Sequence, residues 1–152
     1  MNVVRVLVLQ SLNISFFVTR LIHSYAVGEA LMLDVDGFVS ETNASNIFMV
    51  EDGVLMTPHA DHCLPGITRE TVLILAQELG IKTEVRRVSL AEFHAADEVF
   101  TTGTMGELTP VTMIDGRVIG DGGRGSTTTK IQEEYSKLPE RPGWSTAIPQ
   151  FE

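Results

Sequence analysis

The sequence predicts a mixed α+β fold, on three observations. Short apolar runs between Ala30 and Thr57 are punctuated by Asp-Gly turns, which reads as strands joined in hairpins. Apolar residues at Val72, Leu75, Ala76 and Leu79 follow the 3.6-residue helical period. The chain is 152 residues long and 43% hydrophobic, enough for one buried core and one main domain.

The elements follow in order. Residues 1–25 form an apolar lead segment, in which Arg5, Gln10, Asn13, Arg20 and His23 interrupt the apolar runs too often for a spanning helix or a signal-peptide core. Within it Ile14, Phe17, Val18, Leu21, Ile22 and Tyr25 make one stripe, predicting an amphipathic helix against the core. The main domain spans 26–138. Its first strands are Ala30–Leu33 and Gly37–Val39, then Asn46–Val50 and Val54–Thr57 around Glu51-Asp52-Gly53. Ile47 and Met49 alternate with Phe48 and Val50, so both faces of that strand are covered. Pro65-Gly66 breaks the chain before a helix over Thr68–Leu79 that stops at Gly80. A strand is expected over Lys82–Val88, a capping box at Ser89 and Glu92 starts a short helix, and Glu98–Thr102 is a strand. A Gly103–Gly106 turn leads into a strand at Leu108–Ile114, and Asp115-Gly116 turns it back through Arg117–Ile119. A helix over Thr127–Leu138 closes the domain, and residues 139–152 read as a loose tail.

A net charge of −9 and a pI near 4.8 argue against nucleic acid or an anionic membrane as partner, because both repel an acidic surface. An anionic ligand would need local backbone N–H groups. The single cysteine, Cys63, leaves no internal disulfide and suits a reducing compartment. His59, His62 and Cys63 lack an organised fourth ligand, so no metal site is expected. The Asn13 and Asn43 glycosylation sequons read as chance matches.

Three features bear on chemistry. Glu41 precedes a run of small polar residues; a carboxylate there can keep a neighbouring ring nitrogen protonated, or can simply be an exposed turn residue. Gly66-Ile67-Thr68 opens a helix, whose free N–H groups and dipole form a phosphate cradle if they are not merely capped by threonine. Thr101–Gly106 offers hydroxyls and a glycine turn suited to an anion. Their order suits a phosphorylated aromatic cofactor held from two ends.

The wording DGFVSETNASNIF, LMTPHADHCLPGITRE, ADEVFTTGTMGELTPV and IDGRVIGDG resembles, from about Ala30 to Leu138, the C-terminal half of the class IV aminotransferases. These fold-type IV enzymes include branched-chain and D-amino-acid aminotransferases and aminodeoxychorismate lyases, and the wording is most similar to plant plastid members. The resemblance implies a D-amino-acid aminotransferase-like domain, with short strands and hairpins in a barrel-like sheet flanked by helices. It implies pyridoxal 5′-phosphate as cofactor, with Glu41 on the pyridinium nitrogen and Asn46 orienting that end. Ile67, Thr68 and Thr104 would bind the cofactor phosphate, and Gly103, Thr104 and Met105 would face the substrate carboxylate. Amino acids and 2-oxo acids would be the partners, with a homodimer as the assembly.

One departure is large. The family's Schiff-base lysine should fall near Leu9, where the chain reads Val-Leu-Val-Leu-Gln, and no lysine occurs before Lys82. Lys82, Lys130 and Lys137 read as surface cations. The expectation is therefore a truncated aminotransferase that keeps the phosphate cup and the carboxylate, has no catalytic residue of its own, and is inactive alone. Its alternatives are an aminodeoxychorismate lyase-like protein, a non-catalytic module pairing with a full-length relative, and a fragment of a longer chain. A soluble intracellular protein of chloroplast or cytoplasm is expected.

Overall fold

The computed structural model describes residues 4–10 and 28–145; the helix expected at Ile14–Tyr25 and the last residues of the tail lie outside them. The described chain runs β1 (Val4–Gln10), β2 (Glu29–Leu33), β3 (Phe38–Thr42), β4 (Asn46–Glu51), β5 (Val54–Thr57), α1 (Ile67–Glu78), β6 (Thr83–Val85) and β7 (Val88–Ser89). It continues with α2 (Leu90–Ala95), β8 (Glu98–Gly103), β9 (Glu107–Ile114), β10 (Arg117–Val118) and α3 (Ser126–Ser136). The mixture of short strands and helices is the expected one. Among the described residues no helix is long and apolar enough to cross a membrane.

The strands lie in the order β6-β5-β4-β8-β9-β1-β2-β3-β7, with β10 paired to β9. The one strand expected over Lys82–Val88 is in fact two, because its halves pair at opposite ends of this path: Leu55 faces Thr83, while Val39 faces Val88. Only Arg86 and Arg87 join them, and so short a connection spans about 10 Å at most. The two ends of the path are thus brought together, and the sheet curls into a barrel-like shape.

The strand β9 makes the corner. Its first half pairs with β8, ending at Pro110 opposite Phe100, and its second half pairs with β1 and β10. Proline has no N–H to give a ladder, and Pro110 sits where β9 changes partners. The lead strand β1 runs parallel between β9 and β2, so it is a member of this same sheet. The hairpins at Asp52-Gly53 and Asp115-Gly116 have positive φ at both residues, the backbone that a tight two-residue turn requires.

The alternation in β4 sorts two cores. Ile47 and Met49 face the interior with Leu31, Val39, Phe93 and Ile114, while Phe48 and Val50 face α1 and α3 with Val72, Leu75 and Ile131. Phe48 stacks on its cross-strand partner Phe100, with ring centroids 5.1 Å apart. After α3, Leu138–Glu140 form a 3-10 turn with Leu138 buried, and Arg141 pairs with Glu78 and Glu134, both at 2.7 Å. The beginning of the expected tail is therefore docked.

One cap comes from another element. Gly125, at the N-cap of α3, has no side chain to offer. Glu98 of β8 takes its place, accepting from Thr127 N (2.9 Å), Thr128 N (2.8 Å) and Thr128 Oγ1 (2.7 Å). Removing it leaves helix N–H groups without partners, so Glu98→Ala is expected to cost about 1–2 kcal/mol in urea unfolding. A change within experimental error would show that the cap contributes nothing.

Candidate active site

The residues singled out by sequence converge. Glu41, Asn46, Ile67, Thr68, Gly103 and Thr104 line one open cleft of about 230 Å³, together with Thr42–Ser45, Leu64, Gly66 and Thr102. Met105 is not among its walls. That side chain is 100% exposed and lines an adjoining concavity, which shares Ala44, Ser45, Gly103 and Thr104 with the cleft.

Local structure brings these residues together. Opposite Met32–Leu33, β3 supplies Val39, Ser40 and Glu41, so it carries one extra residue, a bulge. A bulge bends the strand and re-aims the side chains beside it, here Glu41. The ladder between β4 and β8 ends at Asn46 opposite Thr102, which sets both residues at the mouth of the sheet. The helix α1 packs on the same face and points its N-terminus at them.

Asn46 ties Glu41 to the segment that leads into α1. Its Nδ2 donates to Glu41 Oε2 (3.2 Å) and to the carbonyl of Leu64 (2.8 Å), and Leu64 N also donates to Glu41 Oε2 (3.2 Å). A Cβ on Gly66 would lie 2.2 Å from Asn46 Oδ1, so only glycine lets α1 start this close to Asn46. Gly66 has no side-chain cap and the first bond into the helix comes from Glu70 N, leaving the Ile67 and Thr68 N–H groups ahead of the ladder.

Burial pushes the Glu41 carboxyl above its ordinary range, while the Leu64 N–H works in the opposite direction. A cation at this position would restore the charged form. Burial raises the Cys63 thiol, and the Glu41 charge raises it further, so Cys63 stays protonated and is a poor nucleophile. His59 and His62 are exposed, and among the described residues no cluster of three potential metal ligands occurs.

The walls suit a phosphorylated ring. The α1 N-terminus, the hydroxyl-bearing Gly103–Thr104 turn and the Glu41 carboxylate all border the same cleft. The buried Thr102 Oγ1 has no hydrogen-bond partner in this wall. None of the three lysines lines the cleft: Lys82 pairs with Glu84 and Lys137 with Glu134, and Lys130 is exposed on α3. Leu64 and Ser45 escaped the sequence reading, since Leu64 acts through its backbone and Ser45 through contacts with distant strands.

The profile of the amino-transferase class IV family matches residues 10–114. The branched-chain-amino-acid aminotransferase-like protein 1 of Arabidopsis thaliana is 62% identical over 115 residues, 76% of this chain and 21% of that protein. The branched-chain-amino-acid aminotransferase of Pseudomonas aeruginosa is 49% identical over 110 residues, 72% of this chain and 36% of that protein. Among solved structures, a branched-chain amino acid aminotransferase complexed with N-(5′-phosphopyridoxyl)-L-glutamate is similar with a TM-score of 0.84 and 31% identity. That match covers 93% of this chain and 54% of the other. The chain thus spans about half of that structure and a smaller share of the two relatives.

Proposed function

Because the chain belongs to the class IV aminotransferase family, we propose that its cleft holds pyridoxal 5′-phosphate and contributes to amino-group transfer between an amino acid and a 2-oxo acid. The observation that carries this reading is the single cleft uniting Glu41, the α1 N-terminus and the Gly103–Thr104 turn. When bound, the cofactor supplies the electron sink that stabilises negative charge on the amino-acid α-carbon.

The chain's own residues bind and orient. Glu41 would hold the proton on the ring nitrogen, and Asn46 fixes the Glu41 carboxylate by donating to it. The Ile67 and Thr68 N–H groups, with the Thr68 and Thr104 hydroxyls, would take the phosphate. Gly103 and Thr104, with Met105 beyond them, would meet the substrate carboxylate. The relatives reported above are named for branched-chain amino acids, which favours such a substrate over a D-amino acid or aminodeoxychorismate. No lysine of the chain stands at the cleft to move a proton, so this chain alone binds the cofactor without turnover. A homodimer would cover the site, and pairing with a longer relative would complete it. Exposed Leu64 (73%) and Ile67 (84%), both at the cleft, favour a cover over its mouth.

Absorbance titration with pyridoxal 5′-phosphate tests the site. Glu41→Ala and Thr104→Ala are each expected to weaken binding by about tenfold or more, near 1.4 kcal/mol. Affinity should fall in acid as Glu41 takes up a proton, beginning at a higher pH than for an ordinary carboxylate. Equal binding by wild type and both variants would remove the assignment.

A further inference from the structure

The Gly103–Gly106 turn protrudes past the last β4–β8 pair, Asn46 with Thr102, so on that side no strand backbone supports it. Its neighbour there is Ser45: a Cβ built on Gly103 would meet Ser45 Oγ at 3.2 Å and the Ala44 carbonyl at 3.8 Å. Ser45 in turn is held by Glu29, on β2. Glu29 Oε1 accepts from Ser45 Oγ (3.1 Å) and Oε2 accepts from Thr42 Oγ1. Thr42 Oγ1 also accepts from Ser45 N (2.9 Å), and Thr42 N donates to the Ser45 carbonyl (2.8 Å). Both oxygens of one half-buried carboxylate thus face hydroxyls of the segment beside the turn, the single Thr42 O–H being shared with the Ser45 carbonyl (2.8 Å). Hydroxyl bonds to a charged acceptor are stronger than neutral ones. Nothing in the cofactor cleft itself needs Glu29, which is not among its walls and lines only the concavity behind the turn.

We propose that Glu29 is a positioning residue that fixes the Gly103–Met105 turn through Ser45, and so sets where Thr104 meets an anion. The second half of this statement rests on the cofactor reading given above, while the first half is independent of it. The chain of contacts runs from β2 through the β3–β4 connection to the β8–β9 turn.

Two measurements on the full chain separate the halves. Backbone 15N relaxation needs no ligand: Glu29→Ala is expected to lower the order parameters of Gly103–Gly106 from near 0.85 to below about 0.6, with β5 and α1 unchanged. Glu29→Gln, which keeps one acceptor oxygen but loses the charge, should fall between wild type and Glu29→Ala, and Ser45→Ala should behave as Glu29→Ala does. If Glu29→Ala does not fold, Ser45→Ala decides the matter. An unchanged turn, or loosening spread evenly over the sheet, overturns the proposal. In the second measurement pyridoxal 5′-phosphate should bind Glu29→Ala about tenfold more weakly while pyridoxal, lacking the phosphate, binds as to wild type. Equal losses for the two ligands overturn the phosphate-setting role. Failure of wild type to bind pyridoxal 5′-phosphate counts against the cofactor reading and this role, while the relaxation result still decides whether Glu29 holds the turn.

Discussion

Gly66→Ala is expected to weaken cofactor binding by more than tenfold and to destabilise the chain by about 1–3 kcal/mol. The new methyl would lie 2.2 Å from Asn46 Oδ1, far inside contact distance. Asn46 is buried, and its amide is committed to Glu41 and to the Leu64 carbonyl, so it cannot retreat without releasing both. If α1 moves instead, the Ile67 and Thr68 N–H groups leave the cleft. Either route separates the Glu41 carboxylate from the α1 N-terminus. The double variant Gly66→Ala/Asn46→Ala removes the clash, so its stability loss should be smaller than the sum of the single losses, while binding stays poor. Strict additivity in urea unfolding would show that the two side chains do not meet.

Phe48→Ala should carry the largest stability effect, about 3–5 kcal/mol. Phe48 and Phe100 are both fully buried, directly opposite each other on β4 and β8, and nearly parallel at 4°. They lie between the sheet and the helices α1 and α3, where Val72, Leu75 and Ile131 also pack. Removing one ring leaves a void bounded by rigid strands on one side and two helices on the other, and neither side can collapse into it freely. Because the α1 N-terminus lines the cleft, the loss should also loosen that wall. Denaturation in urea measures the first effect, with Phe48→Leu as the volume-sparing control; a loss under about 1 kcal/mol for Phe48→Ala would mean that the site repacks.

Much of this architecture was legible in the sequence because its causes are local. Asp52-Gly53 and Asp115-Gly116 tolerate positive φ wherever they occur, so they announce hairpins. Ser89 and Glu92 are close enough to cap each other without help, and the structure contains that reciprocal pair. The alternation of Ile47 and Met49 with Phe48 and Val50 implied two covered faces, and two cores lie on them. Glu41, Ile67, Thr68, Gly103 and Thr104 stood out by residue type as well as by family wording, Asn46 by family wording alone, and all six line one cleft.

The remainder depended on contacts between residues far apart in the chain. The segment Lys82–Val88 has the alternation of one strand, yet curling of the sheet divides it between β5 and β3. The α3 cap comes from Glu98 on β8, which no local pattern around Gly125 reveals. Met105 adjoins the turn residues in sequence but faces the neighbouring concavity, because the turn projects beyond the β4–β8 ladder. The sequence by itself determined the turns and the covered faces, which backbone preference and side-chain alternation set over a few residues, and its motif wording carried the family resemblance and with it the chemical types at the cleft. Only the tertiary structure decided the closeness of Gly66 to Asn46, the bulge beside Glu41 and the reach of Glu29 to Ser45. Those are fixed by how strands stack and curl, and distances across a sheet are not encoded in spacing along the chain.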